Sequence, residues 1–226
     1  MNIVGVAGGV RACALAGVLV VAGCVSDAAA QGCVWWDSGS TTVGSYSAIT
    51  SDQRAEWIAC GTVGVSSVGI GLANAAVPGW YNTLGDWKKA EAGLPARFGH
   101  READVTVSNG VEAGLGAIWG EEPRYVPMGR ANHASVSSRL GYALLTVVTA
   151  QRRDGHLAPA WGRYAGNVAS NAVDAFWLPS SVTGWRHAAV RSTEAWLIGR
   201  TVSNLWDEFH PDLLAGAAGI FHRKSQ

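Results

Sequence analysis

Residues 61–80 read Gly61-Thr62-Val63-Gly64-Val65-Ser66-Ser67-Val68-Gly69-Ile70-Gly71-Leu72-Ala73-Asn74-Ala75-Ala76-Val77-Pro78-Gly79-Trp80, and the reading of this stretch decides the fold. It carries no charged side chain, and Gly61, Gly64, Gly69, Gly71, Ala73, Ala75 and Ala76 keep it slender. Glycine costs a helix up to ~1 kcal/mol relative to alanine, so this density needs compensation. Two sources are available: close approach to neighbouring helix backbones, or a membrane, where helical glycine is more frequent. Upstream, Thr50 and Gln53 have capping-box spacing, in which each side chain bonds the other's free backbone N–H. The spacing predicts one helix over about 52–77, ended by Pro78-Gly79. At 1.5 Å per residue, 61–79 would extend about 28 Å, just enough for a bilayer. Its shortage of large aliphatic side chains favours the buried central helix of a bundle.

Working outward, further helices are expected at about 100–119, 134–150, 160–177 and 185–209. The first has Gly110, Gly114, Gly116 and Ala117 at small-residue spacings and stops at Glu121-Glu122-Pro123. The second sets Leu140, Leu144, Val147 and Val148 on one face, and Asp154-Gly155 then signals a turn. The third has a stripe of Ala165, Ala169, Ala172 and Phe176 and is closed by Pro179. The fourth has an apolar face of Trp185, Ala189, Trp196, Val202 and Leu205 and ends at Pro211, leaving 212–222 for one short helix. Alternating strand patterns are weak and confined to 35–46 and 157–161. The class is mainly α: a single-domain bundle of about five Gly/Ala-rich helices.

The first 30 residues read as an export signal. Arg11 precedes an apolar run from Cys13 to Gly23, and no acidic residue occurs before Asp27. The run is shorter than the roughly 20 residues a spanning helix needs and suits a signal peptide. Val21-Ala22-Gly23-Cys24 resembles a lipobox, which makes Cys24 an acylated first residue; Ala28-Ala29-Ala30 offers ordinary cleavage before Gln31. Lipidation is the preferred expectation. Residues 31–50, rich in Gly, Ser and Thr, read as a flexible arm, and 51–222 as the helical domain.

The 17 basic and 17 acidic side chains balance, so no net field steers nucleic acid. Cys33 and Cys60 remain after processing and can form one disulfide in an oxidising compartment. No C-x-x-C pair suggests a metal site. H-E-x-x-H, G-x-S-x-G and the phosphate-binding loop are absent, and Gly69-Ile70-Gly71 lacks the third glycine of a dinucleotide loop. No cofactor is expected.

Three clusters carry polar chemistry. Glu121, Glu122, Arg124 and Tyr125 crowd a helix end; paired carboxylates near His133 would suit a hydrolase, while an Arg–carboxylate pair pinning the turn is the simpler reading. Asp207, Glu208, His210 and Asp212 offer oxygen and nitrogen ligands, but as a helix terminus they need no metal. Glu102 and Asp104, beside His100, suit the first turn of a helix.

The landmarks Arg97-Phe98-Gly99, Glu121-Glu122-Pro123-Arg124-Tyr125, Arg139 to Ala143, Arg153-Asp154-Gly155, Ala165-Gly166-Asn167, Ser170, Trp177-x-Pro179 and Asn204-x-x-x-Glu208-Phe209-x-Pro211-Asp212 follow in order. The ordered set resembles an uncharacterised family of exported bacterial proteins. Glu122 and His210 depart from that family's pattern, which has Asp and Trp there. The resemblance implies an envelope protein with one helical domain and no particular reaction. Arg97, Arg124, Tyr125, Arg139, Asn167, Asn204, Glu208 and Asp212 are then expected as structural polar groups, with Arg124, Arg139 and Arg200 as buried partners of Glu121, Glu208 and Asp212.

The expectation is a lipoprotein of the envelope, membrane-anchored or periplasmic, at the outer membrane. It binds or scaffolds at the membrane surface, with a protein partner or a second copy as its contacts. A hydrolase using Glu121 and Glu122, and an integral component using 61–79, are the alternatives.

Overall fold

The computed structural model describes residues 41–76, 94–129, 134–176 and 184–224. Helices dominate: α1 (Ser51–Val63), α2 (Val65–Ala76), α3 (Leu94–Trp119), α4 (Val136–Val148), α5 (Trp161–Asp174), α6 (Trp185–Thr193) and α7 (Arg200–Lys224). A π-helical turn, Glu194–Gly199, joins α6 to α7 without a break. The only sheet among the described residues is an antiparallel hairpin of β1 (Thr149–Gln151) and β2 (Leu157–Pro159), turning at Gly155 with φ +82°.

The Thr50–Gln53 capping box opens α1 as its spacing predicts: Thr50 Oγ1 accepts from Gln53 N, and Gln53 Oε1 from Thr50 N. The single helix expected over 52–77 is two. Gly64 is extended (φ −62°, ψ 151°), and its N–H still closes α1 onto Cys60 O. Residues 51–73 are apolar enough in composition and length to cross a bilayer, but the break leaves pieces of 13 and 12 residues. Each is about 20 Å long or less, against a hydrocarbon core of about 30 Å.

Helix α3 is the axis on which α1, α2 and α5 pack. A Cβ on Gly61 would lie 2.7 Å from Asn109 Nδ2, and one on Gly71 2.6 Å from Glu102 Oε1. On α5, Gly162 and Gly166 face the α3 backbone, where a Cβ would meet Glu112 O at 2.8 Å and Ser108 O at 2.5 Å. Close helix–helix approach thus accounts for these glycines. Helix α3 ends in a Schellman motif: Gly120 turns at φ +76° and Glu121 N bonds Gly116 O at 2.7 Å. Arginines satisfy nearby carbonyls that the helix end leaves free: Arg153 Nη2 donates to Ala117 O, Arg152 Nη1 to Trp119 O and Arg54 Nη2 to Glu121 O. Because α3 begins at Leu94, Glu102 and Asp104 are not first-turn residues, and the macrodipole does not explain them.

Pro211 does not end the last helix; it lies inside α7. Having no N–H, it leaves Asp207 O without its helical donor. The adjacent carbonyl, Glu208 O, takes a hydrogen bond from Arg139 Nη2.

The fold's inside and outside are the reverse of a simple stripe reading. Helix α4 buries Arg139, Ala143, Thr146 and Val147, while Val136, Leu140, Leu144 and Val148 face outward. Trp185 and Val202, placed on an apolar face by the sequence, are likewise exposed, Trp185 at 77%. The interior is largely small and polar, and the exterior carries much of the aliphatic surface.

Candidate functional site

Ion pairs staple the polar interior. Arg139 on α4 reaches Glu208 on α7, Nε to Oε1 at 2.6 Å, and Asp212 Oδ2 at 2.6 Å from Nη1. Glu208 also accepts from Tyr125 OH (2.8 Å), Met128 N (2.8 Å) and Gly129 N (3.0 Å). One carboxylate therefore gathers α4, α7 and the 125–129 segment. Asn204, one turn earlier, donates to Ala143 O and Thr146 Oγ1.

Arg124 pairs with Glu122, at 2.7 Å from Nε to Oε1 and 3.0 Å from Nη2 to Oε2, and not with Glu121 as expected. Glu122 is also the acceptor for Ile49 N, at 3.1 Å. Together with Val43 N donating to Pro127 O, this ties residues 43–49 to the 122–127 segment. Glu121 turns elsewhere: Oε2 accepts Gly162 N at 2.7 Å, at the start of α5. The two carboxylates thus serve separate networks and do not form an acid–base pair. His133 lies outside the described residues.

A further pair was missed from sequence. Arg163 on α5 bonds Glu112 on α3 at 3.0 Å and donates to Thr146 O and Val147 O. A lone arginine inside Gly162-x-x-x-Gly166 was its only signal. Arg200, expected to pair with a carboxylate, donates from Nη2 to Pro123 O at 2.7 Å. Burial, reinforced by the Arg163 charge, lowers it to about 10. A polar void of about 10 Å³ lies among Arg124, Gln151, Arg163 and Arg200, about the room one water needs.

Other expected landmarks hold local structure. Arg97 Nε donates to Ala75 O at 2.8 Å, joining α3 to α2. Asn167 O takes hydrogen bonds from Ser170 and Asn171. Cys60 is in a disulfide; Cys33 and Cys24 lie outside the described residues. Glu208 and Asp212 are engaged by Arg139, and among the described residues no three His, Cys, Asp or Glu side chains converge as metal ligands.

An open groove of about 610 Å³ lies between the end of α3 and the outer face of α5, lined by Trp119, Arg152, Trp161, Tyr164, Ala165 and Val168, with Ala169 beside them. Its aromatic wall is layered. Trp161 and Tyr164 meet edge to face at 5.6 Å, and Tyr164 meets Trp196 at 4.7 Å. Tyr164 OH donates back to Val148 O, and Trp196 Nε1 to Val147 O. These polar tips are used internally, so the wall presents carbon. Arg152 is the one charged lining residue. Ala165 and Ala169 belong to the helix stripe that the sequence predicts; no sequence period groups the aromatic residues around them.

No known protein family, no characterised protein and no solved structure matches the chain.

Proposed function

We propose that the chain is an exported protein of the cell envelope, held at a membrane by acyl chains on Cys24, that acts there as a binding or scaffolding component. The observation that carries this reading is the inverted distribution of side chains. Arg124–Glu122, Arg139–Glu208 and Arg163–Glu112 are buried ion pairs, while Val136 (69% exposed), Leu140, Leu144 and Val148 occupy successive turns of one outward face of α4. Ile118, Val168, Phe176, Val202 and Trp206 add to the apolar exterior. Extended apolar surface of this kind marks contact with a partner or membrane. The ion-paired interior supports a rigid platform and not a reaction centre, because Glu122 and Glu208 are saturated with donors. Peripheral attachment is preferred over integration because Gly64 divides the one stretch of suitable length among the described residues.

The test is flotation with vesicles of phosphatidylethanolamine and phosphatidylglycerol, in a Cys24→Ser background that removes the anchor. Leu140→Ser with Leu144→Ser should reduce co-flotation several-fold while leaving the circular dichroism unchanged. Equal flotation of both forms would remove the α4 face from the account.

A further inference from the structure

We propose that the groove between α3 and α5 is a binding site for one long-chain carboxylate, its chain laid along Trp119, Trp161 and Tyr164 and its head group at Arg152. The site does not depend on how the protein is attached to a membrane.

Size admits this ligand. Small-molecule pockets run from about 300 to 1,000 Å³, and the groove is about 610 Å³. Its chemistry is one cation on an otherwise apolar lining. A peptide would bring backbone polar groups with every residue, and the apolar wall offers them no partners. An acyl chain brings none beyond its head.

The rim supplies the charge. Arg152 Nη1 donates to Trp119 O at 3.2 Å, and Nη2 stands 3.6 Å from Glu121 Oε1, outside hydrogen-bond distance. The other oxygen of Glu121 is taken by Gly162 N. Arg153, held by Ala117 O, lies on the same α3 terminus. Arg152 therefore stands beside one carboxylate that it does not hydrogen-bond. A guanidinium has five N–H donors in a fork that matches a carboxylate's two oxygens, so Arg152 retains donors for an incoming head group.

The wall is already in place. The Tyr164 hydroxyl and Trp196 indole are fixed by backbone carbonyls, so binding orders few side chains.

The experiment uses the full chain with oleate, oleyl alcohol and an oleoyl lysophospholipid, each below its micelle concentration, followed by titration calorimetry. Tryptophan quenching by a dibrominated stearate locates the chain. One oleate per chain is expected, with quenching that shrinks in Trp119→Phe/Trp161→Phe. Arg152→Gln should weaken oleate about tenfold, about 1.4 kcal/mol, and leave oleyl alcohol unchanged; Arg152→Lys should recover part of the loss. Ala165→Phe, or Ala169→Leu if the first fails to fold, should abolish both ligands. Circular dichroism of each variant separates lost binding from lost fold. The proposal is overturned by absence of saturable binding, by equal affinity for oleate and its alcohol, by an Arg152→Gln form that binds oleate normally, or by a lysophospholipid that binds more tightly than oleate.

Discussion

Arg139 on α4 closes on Glu208 on α7 through a 2.6 Å contact, and both side chains are almost wholly out of water. Burying two ions costs several kcal/mol each, which their attraction recovers only with good geometry and further hydrogen bonds. Both conditions are met, since Glu208 has three other donors and Arg139 also reaches Asp212. Removing one partner is then expensive. Arg139→Met should lower unfolding free energy by about 3–5 kcal/mol, read from chemical denaturation. Arg124→Ala, which strands Glu122, should cost a similar amount. A midpoint unchanged in both would show that the pairs contribute nothing to holding these elements together.

The glycines divide into two groups with opposite expected responses. Gly162→Ala and Gly166→Ala place a methyl 2.8 and 2.5 Å from α3 carbonyl oxygens, and overpacking of this kind costs about 1–3 kcal/mol. Gly110 and Gly114 lie in α3 with open space where a Cβ would stand. Alanine there should stabilise by up to ~1 kcal/mol through helix propensity. Thermal melts of the four variants check the division, and a uniform response would contradict the packing described.

Alkaline titration should expose the tyrosine network. Burial, then the Glu122 charge, pushes Tyr46 up to about 12; burial, then Glu208, does the same to Tyr142. Tyr125 is raised further by burial and its hydrogen bond to Glu208. These phenols stay protonated in the fold where an unfolded chain would ionise, near 10. Their contribution is complete below pH 10 and is lost as pH climbs toward 12. Arg200, lowered to about 10 by burial, acts with the opposite sign over the same window, as does Arg54, also lowered by burial. The three raised phenols outnumber the two lowered guanidinium groups, so stability should fall from pH 10 to 12. Phenolate absorbance should show these tyrosines ionising late, in step with unfolding. Early titration of Tyr46, Tyr125 and Tyr142 in a still-folded chain would refute the network.

The Cys60 disulfide gives a covalent prediction. Peptide mass mapping without reduction should recover Cys60 joined to Cys33, and Cys60→Ser should cost about 2–4 kcal/mol. A peptide pairing Cys60 with another cysteine would reassign the bond, and an unaltered melt would show that it does not stabilise the domain.

The helical class and the α1 cap were legible because capping and periodicity are local. What failed was non-local. Gly64 reads like any other glycine in its run, and only the packing of α1 and α2 along α3 makes it a break. Pro211 reads as a stop, yet α7 passes through it where Arg139, far away in sequence, takes the neighbouring carbonyl. The α4 stripe of Leu140 and Leu144 was visible, but a stripe does not say which side is the interior when the interior is held by Arg139, Glu208 and Asn204. Glu122 and Arg124 share a short segment, so their neighbourhood was legible; that Arg124 selects Glu122 and not Glu121 follows from alternating side-chain directions in an extended segment. The groove joins residues 119, 152 and 161–169 across two turns, a juxtaposition that no sequence spacing encodes.

The central claim, anchorage at a membrane through Cys24, is tested most directly by a carbonate wash of membranes from cells expressing the full-length chain or its Cys24→Ser form, with the mass of each mature N-terminus. The account predicts that the wild type stays bound with an acylated Cys24 and that the mutant is released. Release of both, with Gln31 as first residue, would contradict it, and retention of both would make the glycine-rich helices part of the bilayer.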